Sequence, residues 1–144
     1  MTAPRIPDRP APLVAGPVTQ TDIVRYQGAS GDMQPIHHDV EVARAAGLPG
    51  PFSVGMYQAG LLGSFVAQWF GAENVRRYRM RFKERVWPGD VLTCTGDVVD
   101  RRHDGQGWEV DVDLRCTRQD GQVAIEARAT CVVPARPASL PGSA

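Results

Sequence analysis

At 144 residues the chain has room for one domain with a sizeable core and no room for a second. Sixteen Lys and Arg balance sixteen Asp and Glu, so bulk charge argues neither for nucleic acid nor for an anionic membrane surface. Cys94, Cys116 and Cys131 are widely spaced single cysteines, a poor disulfide framework and a poor zinc site; Cys116 and Cys131 fall on apolar strand faces, where cysteine acts as an inert core thiol.

Residues 1–17 carry five prolines, Pro4, Pro7, Pro10, Pro12 and Pro17, which exclude a regular helix or a central strand. That stretch and the tail 134–144, with Pro134, Pro137 and Pro141, are expected to be flexible or surface-draped arms around one domain, 18–133. The N-terminus lacks an apolar signal segment with a basic flank, so a cytoplasmic protein is expected. Thr19 or Thr21 can cap a short helix through Ile23, Val24 and Tyr26 that ends at Gly28 or Gly31. A second short helix, opening near Asp39, is expected from about Val40 to Ala46, stopped by Gly47 and Pro49-Gly50-Pro51.

Between these helices runs Ser30-Gly31-Asp32-Met33-Gln34-Pro35-Ile36-His37-His38-Asp39. Asp32 and His37 do not share a helical face, and Pro35 pushes Gln34 toward an extended conformation, so a turn must bring the pair together. Gly31 supplies the freedom for that turn. The result is a carboxylate and an imidazole on one rigid loop, a candidate acid/base pair. The same residues also fit a plainer role, with Asp32 and Asp39 as turn and cap residues and His37 as a satisfied surface histidine. His37-His38 lacks the further ligands of a zinc site, and His38 reads as structural or solvent-facing.

From Val54 to Phe70 only Gln58, Ser64 and Gln68 are clearly polar, so a helix apolar nearly all round, and therefore buried, is expected. It is too short and too rich in glycine and glutamine to read as a membrane span. From Arg76 to Val86 a strand is expected, with Arg77, Arg79, Arg81, Lys83 and Arg85 on one face and Tyr78, Met80, Phe82 and Val86 on the core face. Trp87-Pro88-Gly89-Asp90 is a turn. Period-two patterning then predicts two long strands, one with Val110, Val112, Leu114 and Cys116 inward, the other with Val123, Ile125, Ala127, Ala129, Cys131 and Val133. Asp120-Gly121 and Asp104-Gly105-Gln106-Gly107 mark the connections. Long antiparallel strands around one core helix make an α+β domain.

The block from Tyr26 through Ala43, with Gly47, Pro51, Phe52 and Gly55-Met56, resembles the signature of the MaoC-like (R)-specific enoyl-CoA hydratases and 3-hydroxyacyl-thioester dehydratases. Within that family the likeness is to the catalytic subunit of mycobacterial-type hydroxyacyl-thioester dehydratases. It covers residues 18–133, and Pro88-Gly89-Asp90 looks like the turn that opens a strand there. The resemblance implies the hot-dog fold, an antiparallel sheet wrapped around a long central helix. It further implies Asp32 and His37 as the catalytic pair, the Gly55 amide as oxyanion donor, and no cofactor. Three positions depart: Gln34 stands for an Asn, Val54 for a His, and Gly63 for a Ser. At Val54 an apolar wall replaces a polar contact, which suits a bulkier acyl group.

The reading is of an enzyme acting on acyl-CoA or acyl-carrier-protein thioesters. Tyr57, Leu61 and Phe65 are expected along the acyl chain, and Arg79 and Arg81 against coenzyme A phosphates or an acidic carrier protein. The basic row equally fits a solvated sheet face, and no exposed aromatic platform points to nucleic acid. A homodimer, or a heterodimer with another hot-dog subunit, is the expected assembly. The alternatives are a partner-dependent or non-catalytic subunit and, on the same fold, a thioesterase.

Overall fold

Thr19 opens the first helix by a reciprocal cap. In the computed structural model, which describes residues 6–103 and 105–134, the Thr19 hydroxyl accepts from the Asp22 amide at 3.0 Å and the Asp22 carboxylate accepts from the Thr19 amide at 2.9 Å. Amides that a first turn leaves without partners are thereby satisfied. Helix α1 (Gln20–Ser30) closes on Gly31, whose φ of 79° lies in the left-handed region. Asp39 caps α2 (Val40–Ala45) by accepting from the Glu41 and Val42 amides. Helix α3 (Gly55–Phe70) is the long one. These boundaries agree with the expectation from sequence to within a residue or two.

Strands β1 (Leu13–Ala15), β2 (Val75–Phe82), β3 (Leu92–His103), β4 (Gly107–Arg118) and β5 (Val123–Pro134) form one antiparallel sheet in the order β1-β3-β4-β5-β2. The alternation read from sequence sets the register: on β4, Val110, Val112, Leu114 and Cys116 are buried, while Glu109, Asp111, Asp113 and Arg115 point the other way. The Asp120-Gly121 hairpin closes with the Arg118 amide donating to the Gln122 carbonyl at 2.9 Å. Asp104 and the tail beyond Pro134 lie outside the described residues, as do residues 1–5 of the expected N-terminal arm.

Helix α3 lays Ala59, Leu62, Phe65, Val66 and Phe70 on the inner sheet face, against Leu92, Cys94, Val110, Val112 and Leu114. Gly96 on β3 permits this approach, since a Cβ there would stand 2.7 Å from the Trp69 ring and 2.9 Å from Leu114. All three thiols are free and buried. Hydrogen bonding to Cys116, together with burial, holds the Cys94 thiol protonated, and burial pushes Cys131 up to about 11.

Three expectations need correction. Helix α3 is not buried all round: Met56 is 50% exposed and heads an open stripe continued by Gly60, Ser64 and Gln68. A single sheet covers only one side of a helix, and these i, i+4 positions lie on the other side. The basic strand stops at Phe82, four residues early, because the Lys83 amide makes the last bond to β5 at Ala124 and the Val86 carbonyl is taken by the Ser53 amide. Phe82, expected in the core, is 52% exposed and lies over Gly55. The proline-rich arm, expected to be flexible or surface-draped, contains an edge strand, β1, paired with Leu92–Cys94. Prolines bar central strands and leave edges available. Upstream of β1 the arm drapes over the domain: the Trp69 indole donates to the Pro7 carbonyl at 3.2 Å and the Val98 amide to Asp8 at 2.9 Å.

Candidate active site

Ile23 and Gln27 share the buried face of α1, and Gln27 is 0% exposed. A buried carboxamide must find partners. Its NH2 donates to the carbonyls of Asp32 at 2.9 Å and Gln34 at 3.1 Å, and its Oε1 accepts from His38 Nδ1 at 2.9 Å. One side chain thus holds both flanks of the loop that carries Asp32. The Asp32 carboxylate accepts from the Gln34 amide at 3.2 Å through Oδ1. Its Oδ2 has no partner among the described residues, and the residue is exposed.

A single 3-10 turn, Pro35–His37, then rotates His37 inward to 8% exposure. His37 Nδ1 lies 2.8 Å from the Phe52 carbonyl, which can only accept, so Nδ1 carries a proton and donates, and Nε2 has no partner among the described residues. The ring stands edge-on to Phe52 at 4.8 Å, and Gln20 donates to the His37 carbonyl at 2.8 Å. No direct hydrogen bond joins Asp32 to His37 among the described residues. They are neighbours on one rigid loop with an uncommitted oxygen and an uncommitted nitrogen.

Phe52 leads through Ser53 and Val54 into α3. Val54 gives no side-chain cap, and although the Tyr57 amide donates to the Val54 carbonyl at 2.9 Å, the Gly55 amide keeps its donor capacity at the positive end of the dipole. Beside them opens a cavity of about 310 Å³ whose walls include Phe52, Gly55, Gln58, Phe82, Lys83 and Arg85. Neither Asp32 nor His37 lines it; Phe52 stands between, its carbonyl on His37 and its ring under the Arg85 guanidinium at 5.2 Å.

The other predicted residues are dispersed. Arg79 and Arg81 lie on the outer sheet face, at a shallow depression of about 370 Å³ shared with Asp113, Arg115, Glu126 and Arg128. The early end of β2 splits the basic row and delivers Lys83 and Arg85 to the α3 cavity instead. Tyr57 is half-buried, edge-on to Tyr26 at 5.7 Å, and burial, then the Asp22 charge, raises its phenol. Leu61 is partly buried against the core, and Phe65 is within it. Gly63 faces Tyr78, whose hydroxyl donates to the Ala59 carbonyl at 3.1 Å. Val54 is 3% exposed and packs in the core; the cavity wall does not include it. Sequence reasoning missed Gln27, whose signal was a polar residue four positions after Ile23 on an apolar face. Among the described residues no group of three or more His, Cys, Asp or Glu is placed to hold a metal, and no helix is long and apolar enough to cross a membrane.

Comparison with known proteins identifies the fold and the family. The tomato (Solanum lycopersicum) mitochondrial 3-hydroxyacyl-[acyl-carrier-protein] dehydratase FERN is 26% identical over 113 residues, 78% of this chain and 68% of the relative. The (R)-hydratase from A. caviae involved in PHA biosynthesis superposes with a TM-score of 0.79 at 21% identity, over 93% of this chain and 100% of that one. The ChsH1-ChsH2 complex from Mycobacterium tuberculosis superposes at 0.74 and 23% identity, over 87% of this chain and 94% of that one. These two likenesses show the fold, which is the hot-dog. Residues 3–119 match the family described as MaoC like domain. With the long helix, strands β1 to β4 and most of the chain within that match, the protein belongs to the MaoC-like dehydratase family of enzymes that hydrate or dehydrate acyl thioesters.

Proposed function

We propose that the chain catalyses (R)-specific hydration of trans-2-enoyl thioesters, or the reverse dehydration of 3-hydroxyacyl thioesters, with Asp32 and His37 as the acid/base pair and the Gly55 amide as oxyanion donor. One observation carries this reading. A single loop, clamped by Gln27, presents a carboxylate oxygen and an imidazole nitrogen without partners among the described residues, and the imidazole is bonded to Phe52, three residues ahead of an uncapped helix. Hydration bonds the oxygen of water to the β carbon, passes one proton to the pair and returns one to the α carbon. The electrons of the double bond gather meanwhile on the thioester oxygen, where a preorganised amide is the effective donor. The (R) sense is supported by the name of the A. caviae neighbour and a carrier-protein thioester by that of the tomato relative. Coenzyme A thioesters suit Lys83 and Arg85 as phosphate partners.

Asp32→Asn and His37→Ala should each lower turnover of trans-2-butenoyl-CoA by at least about a hundredfold, with folding retained. Near-normal turnover in either variant would remove the assignment, and an (S)-3-hydroxybutyryl product would remove the stereochemistry.

A second reading is a subunit that completes its site only with another hot-dog chain. Exposure of Asp32, Met33 and Met56, the open edge of β2, and the heteromeric ChsH1-ChsH2 neighbour favour it. The purified chain then shows a dimer mass and turnover only with its partner present.

A further inference from the structure

Gln58 lies in the first turn of α3, 2% exposed, in a helix where every other buried side chain is apolar. Its Oε1 accepts from the Ser53 hydroxyl at 2.9 Å. Anchoring that oxygen fixes the amide plane and leaves the NH2 as the free end. Among the described residues this NH2 has no acceptor, and Gln58 lines the cavity together with Gly55. The NH2 is not sealed in the interior but opens on the cavity, where a ligand acceptor can reach it. Helical side chains lean toward the N-terminus, and positions three apart share a face, so Gln58 leans over the turn that begins at Gly55.

We propose that the Gln58 carboxamide is a second hydrogen-bond donor to the thioester carbonyl oxygen, acting with the Gly55 amide on the charge that collects there in the transition state. Gln58 is then a catalytic residue, and Ser53 a positioning residue that holds its amide oxygen. The inference rests on the hydratase reading above. Lys83 and Arg85, on the same cavity, are exposed and reach the polar end of a substrate, whereas Gln58 is buried in the first turn of the helix.

The test measures steady-state hydration of trans-2-butenoyl-CoA and thermal melting for the wild type, Asp32→Asn, Gln58→Met and Gln58→Glu. Gln58→Met should lose about a hundredfold in kcat with little change in KM, the signature of a donor used only in the transition state. Its melting temperature should change little, because a side chain of similar volume fills the site and the Ser53 hydroxyl, which loses the Gln58 acceptor, keeps the Val54 carbonyl at 3.3 Å. Gln58→Glu should be as impaired at neutral pH and recover relative to wild type as pH falls, since the protonated carboxyl regains an O–H donor. Turnover in Gln58→Met within about threefold of wild type, while Asp32→Asn is inactive, overturns the role of Gln58 and leaves the hydratase reading standing. A wild type without Asp32-dependent turnover removes both. Should Gln58→Met melt far below wild type, the acid profile of Gln58→Glu decides, and a constant ratio to wild type overturns the proposal.

Discussion

Replacing Gln27 by Met tests whether the loop bearing Asp32 and His37 is held from α1. Methionine nearly conserves the volume, so the cavity penalty of a truncation is avoided and the loss is confined to three hydrogen bonds, to Asp32, Gln34 and His38. At about 1 kcal/mol net each, and with exposed neighbours letting water replace some of them, the change should cost roughly 1.5–3 kcal/mol. For a chain of this length that corresponds to a melting temperature lower by roughly 5–10 °C. Turnover should fall further than stability accounts for, because displacing a reacting group by about 1 Å can cost on the order of a hundredfold. Circular dichroism melting, steady-state hydration, and hydrogen exchange of the amides between Gly31 and His38 measure the three effects together. A variant with wild-type melting, unchanged kcat and unchanged exchange across that loop would refute the clamp.

Gly55→Ala places a methyl group 2.9 Å from the Phe82 ring, whose outer half is free to swing, so melting should change by only about 2–4 °C while kcat/KM falls at least about tenfold; intact activity would move the oxyanion donor elsewhere. Val54→His buries an imidazole in the core and should cost about 1–3 kcal/mol in denaturant unfolding; an unchanged midpoint would show that the side chain reaches the cavity. Lys83→Ala with Arg85→Ala should raise KM for a coenzyme A thioester by about tenfold, more than Arg79→Ala with Arg81→Ala, and equal effects would restore the outer face to the binding surface. Hydrogen bonds from the Thr19 side chain and backbone lower the Asp22 carboxyl in the folded state. Its contribution is therefore complete above the ordinary aspartate value of 3.8 and is lost as pH falls through the depressed folded value. Acid unfolding of Asp22→Asn should lack this component, and coincident acid profiles would argue against it.

Local chemistry made much of the molecule readable from its residues. Thr19, Asp39, Gly31 and Gly47 punctuate the short helices because caps and left-handed turns are decided within a few residues. The alternation of β4 and β5 fixed which faces meet, and Asp32 and His37 stand on the loop that Pro35 and Gly31 require. What was not legible depends on distant partners. Where β2 ends is set by the Val86 carbonyl bonding the Ser53 amide, a contact between segments with no local signal, and that contact moves Lys83 and Arg85 from a row of arginines to the cavity. Gln27 looked like any glutamine in a helix, because its value lies in carbonyls that reach it only after the loop has folded back. The strand in the proline-rich arm was hidden for the opposite reason, since composition there rules out central positions and says little about edges.

The strand order also constrains when the site can exist during synthesis. Strands β3, β4 and β5 are hairpin neighbours and can zip locally, but β2 must wait for β5, the last strand made, before Val75 can meet Cys131 and Phe82 can meet Ile125. Helix α3 and the Asp32 loop leave the ribosome ahead of every strand that covers the apolar face of α3, so that face is exposed to other chains or to chaperones until the meander arrives. Catalytic competence is thus acquired from the C-terminal half backward. Substitutions in β5 that slow its pairing should show first as aggregation of nascent protein.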